Sequence, residues 1–188
     1  FAPGVQSGIP EVLQLQPDGR LLVVGGISWY DGLSPLVGDI CRGIARLDQL
    51  GGFDHSFQYG DDWWDDTEGL NGSAQAVTLL DDGRIYIGGD FTAYYGVERN
   101  RIIRLNEDGT LDPTFDPGAG FNGEVTAIVI QDDGRIVVGG DFTSYQGVPR
   151  VRIARLNADG SLENTFQGCA GFNGMVQDLV LQPDGRVL

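Results

Sequence analysis

The fold is decided by the stretch Val125-Thr126-Ala127-Ile128-Val129-Ile130-Gln131-Asp132-Asp133-Gly134-Arg135-Ile136-Val137-Val138-Gly139-Gly140-Asp141-Phe142-Thr143. A β-branched apolar run, an Asp-Gly turn and a second apolar run predict a hairpin, with strands over 125–131 and 135–143. Glycine at the turn supplies the positive φ that a tight connection needs. A longer loop, 144–150, leads to a third strand over 151–157, and Ala158-Asp159-Gly160 turns into a short fourth over 161–166. No segment carries a helical period.

Working outward, the same pattern returns along the chain. The turn recurs as Pro17-Asp18-Gly19-Arg20, Asp82-Gly83-Arg84 and Pro183-Asp184-Gly185-Arg186, with glycine-to-glycine offsets of 64, 51 and 51 residues. Gly8, Gly72, Gly123 and Gly174 each precede the turn glycine by 11 residues. Gly88-Gly89-Asp90-Phe91-Thr92 matches Gly139-Gly140-Asp141-Phe142-Thr143, and Arg101-Ile102-Ile103-Arg104-Leu105-Asn106 matches Arg152-Ile153-Ala154-Arg155-Leu156-Asn157. The units so defined are the end of a preceding repeat (1–7), an enlarged repeat 1 (8–71), repeats 2 (72–122) and 3 (123–173), and the start of a fourth (174–188). With both ends inside the pattern, the expectation is a stretch of a longer array.

The first two strands of each repeat are continuously apolar, so both of their faces must be covered, whereas the later strands alternate more. Four antiparallel strands per ~50 residues, sandwiched between neighbours, predict an all-β chain of β-propeller blades. A β-solenoid is the rival, but its coils are shorter and parallel. The Gly-Gly pair then marks where the next blade's side chains, or another backbone, come close.

These motifs together, Pro-Asp-Gly-Arg, Gly-Gly-Asp-Phe-Thr-x-Tyr, Arg-Ile-x-Arg-Leu-Asn-x-Asp-Gly-x-Leu and Thr-Phe, resemble the delta-60 repeat, a β-propeller repeat of secreted and surface proteins, mainly bacterial. The likeness is weakest in repeat 1, where Val24-Gly25-Gly26-Ile27-Ser28-Trp29-Tyr30 departs from it. It implies an extracellular repeat module and supplies no catalytic residues.

Strand alternation puts the tight Asp-Gly turns on one face and the second-to-third loops and crossovers on the other. The tight-turn face is expected to leave little room for recognition. Trp29 is expected in a second-to-third loop, and Trp63 and Trp64 in the crossover Tyr59-Gly60-Asp61-Asp62-Trp63-Trp64-Asp65-Asp66. With Tyr30 they form the candidate contact site, since Trp offers a wide platform for a sugar ring or a protein partner. Covering the enlarged repeat is the alternative role for these rings. Asp61, Asp62, Asp65 and Asp66 are weak calcium candidates, because the run lacks the alternating ligand pattern of a calcium loop. Asp90, Asp141 and the recurring Tyr30, Tyr94 and Tyr145 read as structural.

Composition narrows the partners. Twelve basic and 27 acidic side chains give a formal net charge of −15, and every basic residue is arginine. Such a surface repels a nucleic-acid backbone. No apolar run approaches the ~20 residues of a membrane helix. His55 is the single histidine, with no Ser or Cys placed beside it by the repeat register. Cys41 and Cys169 fall in different repeats, and a bridge needs Cα atoms within about 7 Å, so two unpaired or separately paired cysteines are expected. The leading expectation is a non-enzymatic extracellular, cell-surface or virion module for adhesion or assembly, whose long-loop face binds a glycan, a surface protein or other copies of itself. The alternatives are a carbohydrate-active enzyme with its site on that face and a structural repeat of a filament, fibre or phage appendage.

Overall fold

The computed structural model describes residues 4–30, 40–57, 69–166 and 172–188, with the side chains of 4–7, 28–30, 40 and 41 left aside. Its described elements are all β. Three three-stranded antiparallel sheets follow one another. The first joins β1 (Gly4–Leu15), β2 (Leu21–Tyr30) and β3 (Ile40–Leu47). The next joins β4 (Ala74–Leu79), β5 (Ile85–Gly89) and β8 (Ile102–Leu105), and the third β9 (Val125–Ile130), β10 (Ile136–Gly140) and β13 (Ile153–Leu156). In each, the second strand is central, because a tight turn folds it back on the first and the longer loop returns the third to its other edge.

Within those loops the chain makes small hairpins, β6 (Ala93–Tyr94) with β7 (Val97–Glu98) and β11 (Ser144–Tyr145) with β12 (Val148–Pro149). Tyr95 and Gly96 at the first tip both have positive φ, 46° and 71°, the two-residue hairpin geometry that matches strand twist.

The fourth strand is smaller than expected. Only one bridge per unit marks it, Leu47↔Phe53, Leu105↔Leu111 and Leu156↔Leu162. Just beyond, the Glu163 carboxylate accepts the backbone N–H groups of Thr165 (2.8 Å) and Phe166 (2.9 Å). That local turn draws the chain out of the ladder. The third strand also starts late, at Ile153, because Arg152 sits at φ 69°.

The sheets pack face to face, and the core lies between them. In β5, Ile85 and Ile87 join Leu22, Val24 and Ile44 of the first sheet, while Tyr86 on the opposite face joins Val125, Ile128 and Ile136 of the third. Period-2 alternation thus sends successive side chains of one strand into two different joints.

Both expectations for the Gly-Gly pair hold. A Cβ on Gly88 would lie 3.1 Å from Ile128 Cδ1 of the next sheet, and one on Gly89 would run into the Ser73 carbonyl. Gly139 repeats the first arrangement, with a Cβ 2.6 Å from Val176 Cγ1.

Candidate functional site

The first two joints are each fastened by a buried arginine from the third strand, and a half-buried arginine, Arg155, stands at the same place in the third unit. Arg104, 4 % exposed, donates from Nε to Asp112 Oδ2 (2.7 Å), from Nη2 to Thr114 Oγ1 (2.7 Å), and from Nη1 to Tyr86 Oη (2.8 Å) and the Ala158 carbonyl of the next unit (2.6 Å). Arg46 does the same with Asp54, Ser56 and the Glu107 carbonyl, and its guanidinium stacks over Phe57. Arg155 pairs with Glu163 and stacks over Phe166. Such planar, multiply bonded guanidinium groups suit burial better than an ammonium would.

The arginine of the Asp-Gly-Arg turn closes the circuit. Arg84 Nη1 reaches Asp112 Oδ2 (3.1 Å), and Arg20 lies 3.4 Å from Asp54 Oδ2. Burial opposes charge on Asp112, but hydrogen bonds from Thr114, Arg84 and Arg104 outweigh it and hold the carboxyl well below the usual range. Asp54 follows the same balance, with Ser56 and Arg46 overcoming burial. Hydrogen bonds from Thr165 and Arg155 lower Glu163 to about 2. These carboxylates stay ionised at neutral pH as structural acceptors, a poor state for a proton-donating acid.

Sequence reasoning missed this fastening, although its signal is present. An arginine inside an apolar strand recurs at 46, 104 and 155, and each time a carboxylate-x-Ser/Thr-Phe group begins eight residues later.

Of the recurrent residues read as structural, Tyr94, Tyr145, Asp90 and Asp141 take structural places, and the Tyr30 side chain lies outside the described residues. Tyr94 and Tyr145 are buried, and their hydroxyls donate to the Gly109 and Gly160 carbonyls. Asp90 Oδ1 accepts the Ser73 N–H (2.6 Å), and Asp141 pairs with Arg152. Asn122 Oδ1 holds the N–H groups of Thr143 and Ser144, both at 2.9 Å, fixing the root of the long loop.

The candidate contact residues fare differently. Trp29 and Tyr30 do not lie in a loop, since β2 runs on through both. Trp29 pairs with Val5 and Cys41, and Tyr30 with Gly4 and Ile40. The enlarged connection begins later than expected because β1 and β3 extend alongside and satisfy those backbone groups. Trp63, Trp64, Asp61, Asp62, Asp65, Asp66 and Cys169 lie outside the described residues, and of Cys41 only the backbone is described. Among the described residues no group of three or more His, Cys, Asp or Glu is placed to hold a metal ion.

The tight-turn face also departs from expectation, for its short turns leave hollows between the units. One, of about 420 Å³, is lined by Arg20, Arg46, Ser56 and residues 106–108. A second, about 270 Å³, lies beside Gln16, Asp18, Asp81 and Glu107, and a third, about 580 Å³, beside Leu79, Ile130 and Leu181.

Antiparallel sheets of this size, stacked face to face and joined through repeating arginine fastenings, define a β-propeller repeat protein. A family model described as a domain of unknown function (DUF5122) beta-propeller matches residues 16–57, 80–115 and 131–166. The chain belongs to that family. No curated protein matches it.

Proposed function

We propose that the chain is a non-enzymatic extracellular β-propeller module of the delta-60 type that serves adhesion or assembly, presenting its long connections to a glycan or protein partner. The observation that carries this reading is the fastening of the frame. Arg46 and Arg104 tie each sheet to the carbonyl of the next, so the loops spring from a rigid base and lose less freedom on binding than a free peptide would. The exposed apolar tips Val97 and Val148 stand on that face. The low-lying carboxylates of Asp54, Asp112 and Glu163 weigh against a glycosidase acid among them.

The test is a glycan array and a surface-protein pull-down with the chain and its Trp63→Ala/Trp64→Ala variant. Binding lost at unchanged thermal stability supports the reading. Unchanged binding with lowered stability assigns those rings to packing, and glycan hydrolysis abolished by one carboxylate substitution would replace the proposal with the enzyme.

A second reading, a structural repeat stacked in a larger assembly, is favoured by the β1 side chains Leu13 and Leu15, 62 % and 64 % exposed. Leu13 occupies the repeat position of Ile128 and Leu179, which fill the glycine sites of a neighbouring sheet. Light scattering of the Leu13→Glu/Leu15→Glu variant, with self-association unchanged, would remove that reading.

A further inference from the structure

Arg101 closes the long connection between β5 and β8, and its backbone adopts φ 71°. Arg152, its repeat counterpart, has φ 69°, and Gly43 holds the same place in the first unit at φ 77°. The position therefore demands the left-handed region, which glycine enters freely and a residue with a Cβ enters only under strain. Two units accept that strain for an arginine. Strained backbone of this kind persists where the side chain is used.

In the third unit the use is visible, for Arg152 pairs with the Asp141 carboxylate. The second unit keeps both residues without the pair. Asp90, which stands where Asp141 does, accepts the Ser73 N–H at Oδ1 (2.6 Å) and accepts no bond at Oδ2 among the described residues. The guanidinium of half-buried Arg101 has no hydrogen-bond or ion-pair partner among them either. Asp90 nevertheless lies directly opposite, because the Arg101 backbone bonds to Gly89 on one side of it and to Phe91 on the other, both at 3.0 Å. An open guanidinium fork and an open carboxylate oxygen thus share one spot on the long-loop face.

A ligand for this pair brings a carboxylate for Arg101, as Asp141 does for Arg152, and a hydroxyl to donate to Asp90 Oδ2. Without the hydroxyl, its carboxylate would meet Asp90 only as a like charge. A net charge of −15 repels a dense polyanion, so the charge is sparse. We propose that Arg101 and Asp90 form a subsite for the hydroxycarboxylate edge of a sugar acid, such as a uronic acid residue within an otherwise neutral glycan. The planar fork of arginine suits such a carboxylate, and Arg84 already stands between two carboxylates, those of Asp82 and Asp112. The subsite deepens the glycan reading of the long-loop face, on which it rests.

Titration calorimetry of the chain with methyl β-glucuronide tests it. Saturable binding is expected, weakened roughly tenfold by Arg101→Gly, as loss of a hydrogen-bonded charged group implies. Tm should hold or rise in that variant, since glycine suits this backbone at Gly43. Arg135→Gln removes a positive charge from the tight-turn face and should bind as the parent does. Methyl β-glucoside, which lacks the carboxylate, and N-acetylaspartate methylamide, which lacks the hydroxyl, should each bind roughly tenfold more weakly. Equal affinity for either of them, equal weakening by Arg135→Gln, undiminished binding by Arg101→Gly, or no saturable binding overturns the proposal. On a glycan array, binding confined to sugars without a carboxylate also overturns the subsite but leaves the adhesion reading standing, whereas no binding to any glycan removes the glycan reading and the subsite with it.

Discussion

Replacing Arg104 by methionine removes a fastening while keeping most of its stem. Its guanidinium makes four hydrogen bonds of 2.6–2.8 Å, one of them across the joint to Ala158. Breaking a buried ion pair by deleting one partner costs about 3–5 kcal/mol. Asp112 keeps Arg84 and Thr114, so the lower value, about 3 kcal/mol, applies. For a chain of this length that shifts Tm by roughly 6–12 °C. Urea unfolding followed by tryptophan fluorescence measures the loss, and hydrogen exchange locates it. Because repeat stability is a sum of nearest-neighbour terms, protection should fall at Gly160, whose N–H bonds to Asn157, more than at Gly51 in the first unit. A Tm within about 1 °C of the parent for Arg104→Met would refute the fastening, as would equal loss of protection at Gly51 and Gly160.

Gly88→Ala should destabilise by about 1–3 kcal/mol, measured by thermal melts, because its new methyl group would crowd Val125 and Ile128. Tyr145→Phe should cost about 1 kcal/mol in urea unfolding, through the lost bond to the Gly160 carbonyl. Acid should loosen the third unit through Glu163. Its folded pKa of about 2 lies below the ordinary 4.5, so the unfolded chain takes up the proton first. The resulting stability is present above about pH 4.5 and declines as pH falls toward 2. Glu163→Gln should flatten this dependence in melts taken across that window.

Much of the fold was legible because its causes are local. Asp133-Gly134 fixes a hairpin whatever lies around it, and the apolar runs on either side are strands buried on both faces. Repetition at 51 residues then shows that each unit has neighbours like itself. The fourth strand is shorter than its pattern predicts, since Leu162 continues the alternation but Glu163 bonds its own downstream N–H groups.

The candidate site was much less legible. Trp29 looked like a loop residue because repeat 1 loses the motif there, and only pairing with Val5 and Cys41 keeps it in β2. The hollows beside Gln16 and Gln131 have no trace in the local pattern, and although the two glutamines stand in the same motif only Gln131 donates to a glycine carbonyl of the next unit.

Taken alone, the sequence determined the repeat, the strands and the tight turns, because steric preference and side-chain alternation act over a few residues. Only the tertiary structure decided which carbonyl Arg46 and Arg104 each meet across a joint and where hollows lie between the units. Those outcomes depend on groups 50 or more residues apart, such as Arg104 and Ala158, meeting at a distance and angle set by how whole sheets pack.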